Sequence, residues 1–119
     1  MSDESKMNVS VTGGLRDNKG KSHLSLVPLS MIVAVADVIW KSSKNGGGKY
    51  PLHNWRKGLS WSDTADCLLR HVHKWLEGED FDQETGLHHL AHAACNIAFL
   101  IEYVKTKPEL DDRFKQEAQ

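Results

Sequence analysis

The sequence predicts an all-α fold, a small helical bundle behind an extended N-terminal segment. Three segments place apolar residues at helical spacing. No segment alternates apolar and polar residues as a strand does, and no repeat is visible. Residues that start or stop helices bound each apolar segment. At 119 residues the chain suits one compact domain.

Residues 1–12 are polar and predict a disordered N-terminus. GGLRDNKGK (13–21) follows, with three glycines and three cations, and reads as a loop able to wrap over the domain. Pro28 then introduces LSMIVAVADVIWK and predicts a first helix over about 28–43. NGGGKYP (45–51) cannot continue a helix, and the loop runs on to Gly58. Ser60 or Ser62 caps a second helix, with Asp63 favouring its first turn and Gly78 ending it. Its apolar stripe is Trp61, Ala65, Leu68, Leu69, Val72, Trp75 and Leu76. An acidic connection, EDFDQETG (79–86), leads to a third helix from about Leu87 to Val104. Pro108 forbids much extension. The helical domain therefore spans 13–107, and 108–119 form a polar tail.

Composition narrows the class. A formal net charge of −1 argues against a nucleic-acid partner. Cys67 and Cys95 form no CxxC pattern, which fits a reducing cytoplasm better than a disulfide framework. The first residues lack the apolar core of a signal peptide. The longest apolar run, 31–40, is interrupted by Asp37 and is too short to span a bilayer. The expectation is a soluble cytoplasmic protein with no membrane partner. A core this small makes a homo-oligomer, dimer or tetramer, plausible.

The third helix carries an unusual row. In HHLAHAACN (88–96), His89, His92 and Asn96 share one face. Leu90, Ala91, Ala94, Ile97, Ala98 and Ile101 form a wide apolar arc, and Phe99 and Tyr103 flank the polar row. Buried imidazoles and an amide require partners: a metal, a ligand, or polar groups of the second helix. That helix offers Asp66, Arg70 and His73, with His71 beside Trp75. Pairing the two helices about residue 82 sets Asp66 level with 96–98, and Arg70 and His71 level with His92. Asp37 is a lone acid on the first helix. Each of these has an ordinary explanation alone: Asp66 and Arg70 as a surface ion pair, His71 as a packing histidine, Asp37 paired with Lys41. Their convergence between helices is where bundles build sites. The acidic loop offers oxygens to a hard cation such as Mg²⁺ or Mn²⁺. The two glycine-rich loops lack GxxxxGK[ST] but combine backbone amides with cations, as phosphate-embracing loops do. Tyr50 and Trp55 offer rings to a base.

Taken together, GLRDNKGK-x-x-L-x-L-x-P, then K-Y…NWRKG, W-S-x-x-x-D-x-x-x-R-H and G-E-D-x-D-x-E-T-G-x-x-H-x-x-H-x-x-x-N resemble one family. It is the dATP/dGTP diphosphohydrolase family of small, mostly bacteriophage proteins, similar to the MazG- and HisE-type all-α nucleotide pyrophosphohydrolases. The resemblance covers residues 13 to about 104. It implies an oligomeric helical bundle that hydrolyses a purine (d)NTP, dGTP or dATP, to (d)NMP and pyrophosphate with Mg²⁺ or Mn²⁺. One departure matters. MazG-like proteins carry ExxE on one helix and ExxD on another. Here Asp63 and Asp66 take the first spacing, while His89 and His92 take the second.

On this resemblance, Asp37, Asp66, Glu79, His89 and His92 are the candidate metal ligands. Asp66, His71 and His92 are candidates for catalysis. Arg16, Lys21, Lys49, Arg56 and Arg70 would neutralise phosphate charge. Asn96 would orient substrate, with Tyr50 and Trp55 against the base. Two rivals stand beside this reading. An HD-type phosphohydrolase would need a His-Asp dipeptide, which is absent. A non-enzymatic metal- or nucleotide-binding module needs only the cluster.

Overall fold

A computed structural model describes residues 7–116. The expectation of a disordered start therefore falls partly outside the described residues. The described part of that segment holds a short antiparallel hairpin, β1 (Asn8–Val9) and β2 (Leu15–Arg16). Each strand is too short for alternation to show in sequence. Side chains from Asn8 to Val33 are exposed throughout.

Three helices form the body, as the sequence predicts: α1 (Leu29–Ser42), α2 (Trp61–Leu76) and α3 (His89–Thr106). Pro28 sits at the N-cap of α1 with φ −65° and ψ 138°. At the other end the Ser43 hydroxyl donates to Trp40 O at 2.6 Å and accepts from Gly46 N at 3.3 Å. The chain then folds tightly back on itself. A Cβ on Gly48 would lie 2.3 Å from Ser42 O, so only glycine fits there. Ser60 caps α2, its Oγ accepting from Asp63 N at 3.0 Å. Gly78, at φ +102°, follows the helix end. The N-cap of α3 is His88, whose Nδ1 accepts from Leu90 N at 3.0 Å.

α3 is central and packs against both α1 and α2. Its inward side is the one carrying His89, His92, Cys95 and Tyr103, all buried. The apolar arc faces outward: Leu90, Ile97 and Ile101 are exposed. The inward face of α2 takes in only part of the apolar stripe: Trp61 is buried beside Thr64, and Ala65, Leu68 and Val72 are half-buried, while Leu69 and Leu76 are exposed. Tyr103 donates to Trp55 O at 2.6 Å, and Trp61 Nε1 donates to Lys107 O at 3.2 Å. The tail folds back, Asp112 accepting from both Ser62 N (2.8 Å) and Ser62 Oγ (2.6 Å).

Candidate active site

The residues that matter sit where α2 and α3 meet the acidic loop. That loop is held by its own backbone. Asp82 N donates to Leu87 O, Gly86 N to Asp82 O and His89 N to Asp80 O, each at 2.8 Å. Phe81 and His88 pair across its ends. The side chains of Glu79, Asp82 and Thr85 are thereby fixed against the first turn of α3.

Two hydrogen-bonded chains result. In the first, His71 Nδ1 and His89 Nδ1 are 2.9 Å apart, and His89 Nε2 is 2.8 Å from Glu79 Oε2. His89 donates to the carboxylate through Nε2, so its Nδ1 accepts from His71 when both rings are neutral. In the second chain, Asp82 Oδ2 accepts from Thr85 N at 2.9 Å and from Thr85 Oγ1 at 3.0 Å. Thr85 Oγ1 is 2.7 Å from His92 Nε2. The one hydroxyl proton goes to Asp82, a pure acceptor, so the hydroxyl oxygen accepts from His92 Nε2–H. His92 thus keeps its lone pair on Nδ1. The rings of His71 and His92 stack at 4.4 Å and 6°, which joins the two chains.

The electrostatics suit this arrangement. Burial, reinforced by the neighbouring His92 and His89, pulls the His71 pKa down to about 4. Burial also lowers His92, against the pull of Asp82. Burial alone would raise Asp82, but the Thr85 amide and hydroxyl outweigh it and hold the carboxylate below its usual range. At neutral pH His71 and His92 are therefore neutral imidazoles facing the Asp82 carboxylate. His71, Asp82 and His89 each present a ligating atom, and these atoms lie within 4.8 Å of one another. Two imidazoles with one carboxylate form a donor set that fits Mn²⁺ better than Mg²⁺, which prefers oxygen alone.

Beside the cluster lies a cavity of about 260 Å³, walled on one side by His92 and Asn96. Tyr50 and Trp55 line it too. Asn96 Nδ2 donates to His92 O at 2.9 Å and lies 3.5 Å from Cys67 Sγ. Lys49 stands near the acidic loop, 3.8 Å from Glu84. Arg56 lies over the Trp55 ring at 4.6 Å.

The structure thus gathers Glu79, His71, His89, His92 and Asn96, and sets Lys49, Tyr50, Trp55 and Arg56 nearby. Asp37, Asp66 and Arg70 stay apart as corrections to the expected convergence. All three are exposed, and Asp66 and Arg70 line a shallow outer groove with His73. The reason is rotation. At about 100° per residue, Asp66 and Arg70 point away from the side of α2 that carries Trp61, Thr64 and His71. Arg16 and Lys21 lie on the exposed N-terminal arm. Asp82 and Thr85 join the cluster from within the acidic loop, beyond the residues the sequence names individually. Their signal was the D-x-x-T spacing, in which a side chain accepts from a backbone amide three residues on.

Fold and site together define a small all-α protein with an imidazole–carboxylate centre at a helix–loop junction. Comparison with known proteins gives the family. The family described as dATP/dGTP diphosphohydrolase, N-terminal, matches residues 11–113, and the chain belongs to it. A protein of Salmonella phage PMBT28 named dATP/dGTP diphosphohydrolase is 37% identical over 100 residues. That match covers 84% of this chain and 33% of the phage protein, so the chain spans about a third of the length of this curated relative. No solved structure matches the chain. Among the described residues, no helix is long and apolar enough to cross a membrane.

Proposed function

We propose that this chain is a metal-dependent purine (d)NTP diphosphohydrolase, releasing (d)NMP and pyrophosphate from dGTP or dATP. The observation that carries the reading is the His71–Asp82–His89 cluster, half-buried and anchored on the fully buried His89, in a chain of this family. The relative's name supplies the substrate class.

His71, Asp82 and His89 would hold the ion, Mn²⁺ or Mg²⁺. Once bound, it would polarise phosphate oxygens and acidify water. Glu79 acts behind His89, fixing the ring through its far nitrogen as carboxylates do behind ligating imidazoles. His92, held by Thr85 with its lone pair on Nδ1, takes the proton of the attacking water. The water oxygen bonds to the α-phosphorus, and the bond from that phosphorus to the α,β-bridging oxygen breaks. Pyrophosphate leaves with the electron pair. Lys49 and Arg56 offset phosphate charge at the rim. Arg16 and Lys21 would reach the substrate by closure of the arm. Asp37, Asp66 and Arg70 would serve only from a neighbouring copy.

A homo-oligomer, dimer or tetramer, is part of this proposal. The radius of gyration is 19.4 Å, against about 13.5 Å for a compact chain of this length. The outward arc of α3 and the exposed Leu29, Ile32 and Trp40 of α1 leave apolar surface that a second copy would cover. We place the protein in the cytoplasm, the host's if phage-encoded. The test is purified protein with each of the four dNTPs and Mn²⁺, with pyrophosphate resolved from orthophosphate. Release from dGTP or dATP supports the proposal; no pyrophosphate from any of them refutes it.

A further inference from the structure

We infer that the cavity beside His92 is a purine-base subsite, in which the Asn54 and Asn96 carboxamides read the edge of the ring. This rests on the nucleotide reading of the neighbouring cluster and adds where, and by which groups, the base is held.

The cavity volume of about 260 Å³ lies below the roughly 300–1,000 Å³ of pockets that enclose drug-sized ligands. It suits a flat ring system, not a whole nucleotide. No lysine, arginine or acid lines it, so its occupant is uncharged. Its walls are apolar, with Val38 from α1, Leu59 from the loop and Phe99 from α3. One wall is rigid. Trp55 stacks on Phe99 at 4.6 Å and 12°, Arg56 lies over Trp55, and Tyr103 holds the Trp55 carbonyl at 2.6 Å. A preorganised aromatic wall binds a planar ring without ordering cost.

Two carboxamides, Asn54 and Asn96, stand among the polar groups of this lining, with Ser42, Ser43, Tyr50 and His92. The Asn54 carboxamide has no hydrogen-bond partner among the described residues, although it lines the cavity. The Asn96 amide nitrogen is already engaged by His92 O, which leaves its Oδ1 as an acceptor. One fixed acceptor plus one amide that presents a donor and an acceptor matches a purine edge. Adenine offers an amino donor beside a ring-nitrogen acceptor. Guanine offers N–H and amino donors beside acceptors. Rotation of the Asn54 amide suits either. A single pyrimidine ring would leave apolar wall uncovered. The direction also fits. His92 is shared by cavity and cluster, so a base seated here sends its sugar and phosphates past His92 toward His71, Asp82 and His89.

The test is titration of the full chain with deoxyguanosine, deoxyadenosine, thymidine and inorganic tripolyphosphate, followed by the side-chain amide resonances of Asn54 and Asn96. The purine nucleosides are expected to bind at least about tenfold tighter than thymidine and to shift both amides. Tripolyphosphate is expected to leave them unmoved. Asn54→Ala is expected to weaken purine nucleosides about tenfold while sparing tripolyphosphate. The resonance shifts in the unaltered protein decide the matter even if that variant folds poorly. Purine nucleosides that bind no tighter than thymidine, or that leave both amides unmoved, overturn the assignment. Purine nucleosides bound here without turnover of any dNTP would keep the subsite and remove the hydrolase. Turnover of dGTP with KM unchanged in Asn54→Ala would do the reverse.

Discussion

Replacing Thr85 with valine tests the second hydrogen-bonded chain, because valine keeps the shape and removes the hydroxyl. That hydroxyl touches His92 Nε2 at 2.7 Å, Asp82 Oδ2 at 3.0 Å and Leu87 N at 3.2 Å. Asp82 keeps one bond, from Thr85 N at 2.9 Å. His92 loses its partner, and its side chain is only 10% exposed, so water does not readily replace it. A net hydrogen bond contributes about 0.5–1.5 kcal/mol, and an unmet buried donor costs about 1–3 kcal/mol. His92 Nε2 lies 3.9 Å from Asp82 and can recover part of the loss by a small ring movement. The net destabilisation is then about 2 kcal/mol. At about 4 °C per kcal/mol for a domain of this size, the midpoint falls by roughly 8 °C. The assay is thermal unfolding with chelator present, paired with ¹⁵N spectra of the imidazoles. His92 should be the Nε2–H tautomer in the unaltered protein and lose that preference in Thr85→Val. Thr85→Ser should keep both properties. A midpoint within 1 °C of the unaltered protein, with an unchanged His92 tautomer, would refute the reasoning.

Other outcomes follow from the same contacts. The metal-free protein should lose stability as pH falls from 6.5 toward 4. His71 titrates at about 4 when folded and 6.5 when unfolded, so the unfolded chain takes up the proton first. Its contribution is complete above pH 6.5 and is lost by about pH 4; urea midpoints that stay flat across that window would contradict its burial. Tyr103→Phe should cost about 0.5–1.5 kcal/mol, since the Trp55 carbonyl loses the Tyr103 hydroxyl and keeps Gly58 N at 3.1 Å. An unchanged denaturant midpoint would show that the Trp55 wall is held otherwise. Saturating Mn²⁺ should raise the thermal midpoint, by about 2.7 kcal/mol of stabilisation at a hundredfold excess over Kd. His89→Ala should abolish the rise.

The helices were legible because their boundaries are chemical. Pro28, Ser60, Gly78 and Pro108 mark ends by what their backbones and side chains allow. The helical row His89, His92 and Asn96 was legible for the same reason, since 3.6-residue periodicity alone puts the three together. Which way each helix faces was not. The apolar stripe of α2 predicts its packed face, yet only its Trp61 is buried; Leu69 and Leu76 are exposed, and the packed side is rotated to take in Thr64 and lie by His71. An apolar stripe shows that a surface wants cover, not which surface covers it. Of the two α2 residues the sequence offers for catalysis, Asp66 therefore lies apart on the outer face, whereas His71 stands against His89 and His92. Asp82 and Thr85 escaped notice individually because their roles depend on loop closure by backbone hydrogen bonds.

The most direct test of the central claim is the rate of pyrophosphate release from dGTP with Mn²⁺, compared between the unaltered chain and Asp82→Asn. Asparagine keeps the size of the side chain and removes the anionic oxygen that faces His71 and His89. The account predicts release by the unaltered chain and a loss beyond the roughly 10–100-fold typical of groups that only support a ligand. Undiminished release by Asp82→Asn would contradict it.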